Sequence, residues 1–280
     1  MITESAAHSR TCMPWSVPPG EPAGRARAYA GVRGTLARMF ADWPPADTLP
    51  RRVWRASDLA LGVSVLLVVF LLALAVAVGR VFLVDAPEDT ATVPGALITL
   101  AFELVLGGIV VYLALRRRVP WRALGFRPPE GALVVGAVVA AYAAILVYQG
   151  LLAAAEVLGV DASGLRRGNP LPADRETALF TWAVLGIAVV AVAPVAEELF
   201  FRALIFRATA GWVSVPAAYA ISGVSFGLFH LNPSVIVPFS AIGAIFAWAY
   251  WRSKSLWTAI AAHAIVNATS LFFTVVEAFR

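Results

Sequence analysis

The chain has 280 residues, of which 60% are hydrophobic and only 14% are charged, whereas a typical soluble domain has about 25% charged residues. This composition excludes a water-soluble globular protein and indicates a polytopic integral membrane protein. The net charge of +5 does not predict nucleic-acid binding, because the arginines flank apolar runs and form no continuous basic face. The single cysteine, Cys12, excludes an internal disulfide framework.

Residues 1–56 are predicted to be a disordered tail, because prolines are scattered among small and polar residues without helical period. The first apolar run begins too far from Met1, and is too long, for a cleavable signal peptide. We expect it to remain as a transmembrane anchor. The rest of the chain divides into N-terminal transmembrane helices, residues 57–177, and a C-terminal transmembrane core, residues 178–280.

Apolar runs of about 20 residues, long enough to cross about 30 Å of hydrocarbon, predict an all-α transmembrane bundle of seven to eight membrane segments. The seven predicted spans are Leu59 to Val78, Val93 to Leu115, Gly131 to Leu152, Ala178 to about Val195, Val213 to Leu231, Ser234 to Trp251 and Leu256 to Val276. A further segment, Ala196 to Gly211, is apolar but contains charges. It either continues the fourth span or dips back into the membrane, which would give eight elements.

Loop charges predict the orientation, because short cytoplasmic loops are rich in Lys and Arg. Residues 51–55 include three arginines before the first span, which predicts a cytoplasmic N-terminus. The acidic loop at residues 85–89 is expected outside, and the arginine-rich loop at residues 116–127 inside. Alternation then places Arg280 outside. An Arg-, Ala- and Val-rich chain with a single lysine suits a GC-rich bacterial genome, so we expect the bacterial plasma membrane.

Polar residues inside the predicted spans are functional candidates, because burying an ionisable group in hydrocarbon costs at least about 2.5–3.5 kcal/mol. The candidates that occur in groups are Glu197, Glu198, Arg202, His230, His263 and Asn267. Glu103 and Glu156 lack such companions, so we expect them to have span-end or packing roles.

Helical spacing suggests what these groups do. Glu198 and Arg202 are four residues apart and share a helix face, where they can form an ion pair. Glu197 is rotated about 100° away, and an apolar surrounding would disfavour its charged form, which suits a general base. His263 and Asn267 also share a face, where imidazole and amide groups can orient water or stabilise an oxyanion. A charged cluster at the membrane surface, with structural histidines, is the alternative without chemistry.

The segments EELFFR, SFGLFH and HAIVN fit the patterns EExxxR, FxxxH and HxxxN, in that order on successive apolar segments. The chain therefore resembles the CPBP family of intramembrane proteases, also called the Abi or CAAX-protease-like family, over about Ala178 to Val276. The resemblance implies an all-helical endopeptidase whose catalytic core, residues 178–280, encloses a cavity within the bilayer. It makes Glu197 the catalytic glutamate, with Glu198 and Arg202 completing the first motif.

The resemblance also makes His230 the histidine of the second motif, and His263 and Asn267 the pair of the third. We expect Glu197, helped by His230, to deprotonate a water molecule that attacks the scissile carbonyl. His263 and Asn267 would stabilise the oxyanion. No cofactor is then expected. The alternative is a zinc ion held by Glu197, His230 and His263, although the helical HExxH arrangement is absent.

The expected partners are the lipid bilayer and a membrane protein or lipidated peptide substrate, with no nucleic acid. In a bacterium, a prenylated CAAX substrate is not expected. Two other functions stay open: a non-catalytic membrane scaffold or bacteriocin-immunity protein, and a proton-coupled transporter. Internal symmetry between the two halves would favour a transporter. The polar groups are instead confined to the C-terminal half.

Overall fold

The computed structural model describes residues 53–83, 93–166 and 179–280, which form seven long helices and no strands. The helices are α1 (Ala56–Leu83), α2 (Val93–Arg117), α3 (Gly131–Val157), α4 (Leu179–Thr209), α5 (Val215–Phe229), α6 (Pro233–Ser253) and α7 (Leu256–Ala278). Short 3₁₀ helices, Trp121–Leu124 and Ser163–Arg166, lie in the connections on either side of α3. The predicted all-α polytopic fold is confirmed.

Five of these helices, α2, α3, α4, α6 and α7, are long and apolar enough to cross a membrane. α5 and the apolar part of α1, Ala56–Leu72, are apolar but shorter. Large apolar side chains such as Leu146 and Phe273 are more than 60% exposed on the outer faces of the helices. A protein surface of this kind suits lipid and not water, so the chain is an integral membrane protein.

Several sequence predictions fall on residues outside the described ranges. They include most of the predicted tail, residues 1–56, together with the acidic loop at residues 85–89 and much of the loop that precedes α4. The disordered tail, the division of the chain into domains and the orientation in the membrane therefore stay predictions.

The bounds of α4 show that the segment Ala196 to Gly211 continues the fourth span and does not dip back into the membrane as a separate element. The fourth span continues through it without a break as far as Thr209. Two parts of α4, Ala188–Val192 and Leu199–Phe206, are π-helical. Such turns interrupt the regular hydrogen-bond ladder and occur frequently at functional sites. The first motif therefore begins in a short α-helical stretch and ends within a π-helical one.

α4 is surrounded by protein around the first motif. Every residue of Leu199–Phe206 is buried, including the large side chains of Phe200, Phe201 and Phe206. A helix that is buried on all sides has no face in contact with lipid. The charged groups of the first motif therefore lie in the protein interior, and none of them is on an exposed face of α4.

α5 ends at Phe229, two residues before the predicted end of the fifth span. Leu231 then adopts a left-handed conformation with φ of 50°. Asn232 caps α6 by accepting a hydrogen bond from the Ser234 N–H, and Pro233 occupies the first helical position. The 15 residues of α5 measure only about 22 Å, which is shorter than the hydrocarbon thickness of about 30 Å. Irregular backbone inside a membrane protein is tolerated where it is buried or lines a cavity, and His230 at this turn lines one.

Candidate active site

A cavity of about 410 Å³ lies between α2, α3, α4, α6 and α7, with the end of α5 in its wall. This volume is within the usual range for ligand sites, about 300–1,000 Å³. Four of the six predicted site residues line it: Glu197, His230, His263 and Asn267. The other two, Glu198 and Arg202, are fully buried behind its wall. The structure thus brings all three motifs together around one cavity.

Arg202 and Glu198 form the ion pair expected from their spacing. Arg202 Nε lies 2.9 Å from Glu198 Oε2, and both side chains are 0% exposed. Arg202 Nη2 also donates a hydrogen bond to the Gly243 carbonyl oxygen, 3.1 Å away. The guanidinium lies 4.7 Å from the centre of the Phe226 ring, within reach of a cation–π contact. Arg202 therefore joins α4 to α5 and α6 while it neutralises Glu198.

Glu198 has a second partner that sequence spacing did not predict. His263 Nδ1 lies 2.9 Å from Glu198 Oε1, across 65 residues of sequence. A carboxylate oxygen can only accept, so Nδ1 is the donor and Nε2 of the neutral ring has a free lone pair. That Nε2 is 4.0 Å from Glu197 Oε2. A buried carboxylate that fixes a histidine tautomer, and stabilises its protonated form, is a recurring catalytic arrangement.

His230 is held at the end of α5, where its Nδ1 lies 2.9 Å from the carbonyl oxygen of Phe226. Since the carbonyl can only accept, Nδ1 donates and Nε2 of the neutral ring is an acceptor. The ring packs edge-on against Phe239, with 4.5 Å between the ring centroids. These contacts fix the ring in the cavity wall, with an acceptor nitrogen that can hold a water molecule.

Asn267 links α7 to the first π-helical segment of α4. Its Nδ2 donates a hydrogen bond of 2.9 Å to the Val189 carbonyl oxygen, in the π-helical segment Ala188–Val192. One Nδ2 hydrogen and the Oδ1 atom remain for other partners. Asn267 therefore has a positioning contact in addition to the capacity to donate to an oxyanion.

Glu103 is a cavity residue to which sequence reasoning gave a lesser role. It lies in the interior of α2, is 5% exposed and lines the cavity with Glu197, so of the two expected roles the span-end role is wrong and the packing role stays a prediction. The signal that could have found it is an ionisable residue within an apolar span. Glu156, by contrast, lies at the end of α3 as expected, with its Oε1 2.8 Å from Arg166 Nε.

The alternative zinc site is not grouped in the described part of the chain. There, neither Glu197, His230 and His263 nor any other three His, Cys, Asp or Glu side chains form a cluster that could hold a metal ion. We therefore derive no catalytic step through a metal, and independence from metal stays a prediction.

Comparisons with known proteins agree with the motifs. Residues 179–269 match the family described as "Type II CAAX prenyl endopeptidase Rce1-like". The chain is also 37% identical, over 76 residues, to the Bacillus subtilis (strain 168) protein named "Putative membrane peptidase YdiL". That match covers 27% of this chain and 31% of the relative's length. No solved structure matches the chain. The matches confirm the family resemblance that the three motifs predicted.

Proposed function

We propose, from the similarity of residues 179–269 to CAAX-protease-like membrane peptidases, that the chain is an intramembrane endopeptidase. It hydrolyses a peptide bond of a membrane-associated substrate by means of water activated by a glutamate. The observation on which the proposal rests is the different placement of two adjacent glutamates. Glu197 faces the cavity, whereas Glu198 is paired with Arg202 and His263 behind it.

Glu197 is the proposed general base. Its side chain lines the cavity, and its Oε2 has no hydrogen-bond partner among the described residues, so the oxygen has an unused capacity to accept a hydrogen bond. His230 Nε2 accepts a second hydrogen bond from the same water and orients it. Glu197 takes one proton as the water oxygen bonds to the scissile carbonyl carbon. A general base of this kind contributes about 10²–10⁴ in rate.

His263 and Asn267 are the proposed oxyanion donors. His263 donates through Nε2 when its ring has both protons, and the contact of its Nδ1 with Glu198 fixes the orientation of the ring. Asn267 donates the Nδ2 hydrogen that does not bond to Val189. The carbon–nitrogen bond then breaks as Glu197 passes the proton that it took from water to the leaving amine nitrogen, which restores the carboxylate. One water is consumed, and one carboxyl and one amino terminus are formed.

The proposed substrate is a membrane protein or lipidated peptide, because the walls of the cavity are mostly apolar. Phe226, Phe239 and Phe246 line it together with aliphatic residues of α3, α6 and α7. The proposed location is the bacterial plasma membrane, with the N-terminus in the cytoplasm. The loop charges support that orientation.

The proposal is tested by comparing membrane proteomes of cells that produce the wild type, Glu197→Gln or the control Glu277→Gln. Glu277 is exposed near the end of α7 and does not line the cavity. We expect at least one new peptide terminus in the wild type and the control that is missing in Glu197→Gln. The same termini in all three, with equal protein levels, would contradict the proposal and favour a scaffold.

The metal alternative needs a separate measurement on purified protein. Glutamate-activated water requires no metal, so cleavage should persist after treatment with a strong chelator. Loss of cleavage on chelation, followed by recovery with stoichiometric zinc, would replace this mechanism by that of a metalloprotease.

A further inference from the structure

The connection between α2 and α3 is joined to the turn between α6 and α7 at one end of the bundle. Ser255 Oγ donates a hydrogen bond of 2.6 Å to the Arg127 carbonyl oxygen. The Leu256 N–H donates another, also of 2.6 Å, to the Gly125 carbonyl oxygen. The two segments are so close that a Cβ on Gly125 would lie 3.3 Å from the Lys254 carbonyl oxygen. Arg127 and Lys254 therefore belong to one compact junction.

The end of α4 packs against the same junction and adds a third cationic residue to it. The centroids of the Phe206 and Trp251 rings are 5.7 Å apart. Arg207 directly follows Phe206 and is 1% exposed. Arg252 directly follows Trp251 and is exposed. Four cationic residues from three parts of the chain thus meet here, and we call them the basic junction: Arg127, Arg207, Arg252 and Lys254.

Lys254 has a backbone conformation that suits a different residue. It is left-handed, with φ of 58°, at a helix C-terminus where Gly, or less often Asn, is the usual residue. A side chain remains in such a conformation only where its surroundings fix it, and this often marks a functional position. The Lys254 Nζ lies 4.1 Å from the centre of the Trp251 ring, within reach of a cation–π contact. The lysine therefore contributes an ammonium group that is fixed on an indole ring.

Carboxylates of the described ranges do not neutralise the outer cations of the basic junction. Neither Arg252 nor Lys254 forms an ion pair within residues 53–83, 93–166 and 179–280. Burial and the charges of the three arginines lower the pKa of Lys254. The preference of Arg and Lys for cytoplasmic loops explains their number, but not their convergence on one half-buried lysine. Because like charges repel, an anion bound among them would be stabilised.

Aromatic residues beside the basic junction indicate that it lies at the level of the lipid headgroups. Trp257, at the start of α7, is 42% exposed, and its ring lies 5.9 Å from the Phe126 ring. Trp121 packs against the same Phe126 ring, with 5.7 Å between the centroids. Tryptophan is enriched at membrane–water interfaces, where its ring sits at headgroup depth. The anion that a membrane presents at this depth is the phosphate of a phospholipid.

We propose that the basic junction binds the phosphate headgroup of an anionic phospholipid, such as phosphatidylglycerol. Arg252 and Lys254, which are exposed and half-buried, contact the headgroup, and the buried Arg207 adds its positive charge from beneath. The acyl chains lie against the exposed apolar faces of the helices. Because the junction joins the ends of α4 and α6 to the start of α7, a bound lipid stabilises helices that supply the candidate active site. The lipid site does not depend on the proposed proteolysis.

Native mass spectrometry of the purified full chain in detergent tests this site, because the method resolves each bound lipid. The probes are phosphatidylglycerol and phosphatidylcholine with the same acyl chains. We expect the first phosphatidylglycerol to bind about tenfold more tightly than phosphatidylcholine, since each cation near an anionic lipid surface contributes about fivefold. Arg252→Gln/Lys254→Asn should weaken phosphatidylglycerol binding by about 25-fold and leave phosphatidylcholine binding unchanged. Asparagine is chosen at position 254 because it tolerates the left-handed conformation.

The matched control is Arg116→Gln/Arg118→Asn, which removes the same charge from the end of α2. It also replaces a left-handed residue, since Arg118 has φ of 55°. The control should weaken phosphatidylglycerol binding by no more than about twofold, because exposed charges outside the site are screened by salt. Arg252→Lys/Lys254→Arg keeps both charges and should bind phosphatidylglycerol like the wild type. If the double variant at the junction fails to fold, Arg252→Gln alone should still show a loss of about fivefold.

Three results would overturn the proposal. The first is equal affinity of the wild type for the two lipids. The second is an equal loss of phosphatidylglycerol binding in the junction variant and in the control. The third is stabilisation of the wild type against unfolding by inorganic phosphate or glycerol 3-phosphate, without a preference between the lipids, which would assign the junction to a soluble phosphate.

Discussion

Replacing Arg202 by methionine tests whether the buried ion pair holds the site together. Methionine keeps much of the apolar side-chain volume but removes the guanidinium that lies 2.9 Å from Glu198. It also removes the hydrogen bond to the Gly243 carbonyl and the contact with the Phe226 ring. The variant therefore leaves Glu198 as a buried carboxylate with His263 as its remaining partner.

The size of the effect follows from that geometry. Removing one partner of a buried ion pair costs about 3–5 kcal/mol, because the other charge is left uncompensated. The lost cation–π contact is worth about 2 kcal/mol at a desolvated site, although the two effects are not additive. We expect the free energy of unfolding to fall by at least about 3 kcal/mol. The double variant Glu198→Gln/Arg202→Met should recover most of this loss, because neither charge is then buried.

The assay is unfolding of the purified protein in detergent micelles, followed by circular dichroism. Arg116→Met is the matched control, because Arg116 is exposed at the end of α2 and should change stability by no more than about 0.5 kcal/mol. Arg202→Lys should be intermediate, since it keeps the charge but loses the planar fork that contacts two groups. The reasoning is refuted if Arg202→Met is as stable as the control, or no less stable than the double variant.

Three further predictions concern orientation, packing and catalysis. In a chain otherwise free of cysteine, a cysteine introduced at Ala86 should react with an impermeant thiol reagent added outside the cell, whereas one at Ala123 should react only after permeabilisation. The reverse pattern would contradict the topology predicted from the loop charges. Gly227→Val should destabilise the protein by about 1–3 kcal/mol, because a Cβ there would collide with α6. Gly136→Val, with open space around it, should be nearly neutral in the same unfolding assay, and equal effects would refute the packing argument. Asn267→Ala should lower kcat by about 10²–10³, while the free energy of unfolding falls by only about 0.5–1.5 kcal/mol. An unchanged kcat would show that Asn267 does not stabilise the oxyanion.

The spacing of residues along the sequence predicted those features of the fold and the site that involve a single helix. Apolar runs located all seven described helices, and the i, i+4 rule predicted the pairing of Glu198 with Arg202. These predictions succeed because both the length needed to cross the bilayer and the period of the helix are fixed by geometry.

Contacts between helices could not be predicted in this way. The bond between Glu198 and His263 joins residues 65 positions apart, and no periodicity in one segment indicates its partner in another. The hydrogen bond from Asn267 to Val189 depends on a π-helical turn in α4 that apolar composition does not reveal. The position of Glu103 beside the cavity could not be predicted for the same reason, because only the packing of α2 against α4 places it there.

The predicted boundary of the fifth span, Leu231, lies two residues beyond the end of α5 at Phe229, since hydropathy does not register how a helix ends. His230 and Leu231 lie in an apolar run, yet the helix stops at Phe229. The left-handed Leu231 and the Asn232 cap with Pro233 redirect the chain into α6. This early end places His230 in the cavity wall, so the feature that shortens the helix also helps to build the site.

The central claim is that Glu197 activates the water that cleaves the substrate. The most direct test uses purified protein reconstituted in lipid vesicles, with a peptide that contains a cleavage site identified in the proteome comparison. The initial rate is measured for the wild type and for Glu197→Gln at equal amounts of folded protein. The mechanism predicts a loss of about 10²–10⁴ in kcat for Glu197→Gln, with an unfolding free energy close to that of the wild type. Cleavage by Glu197→Gln at the wild-type rate would contradict it.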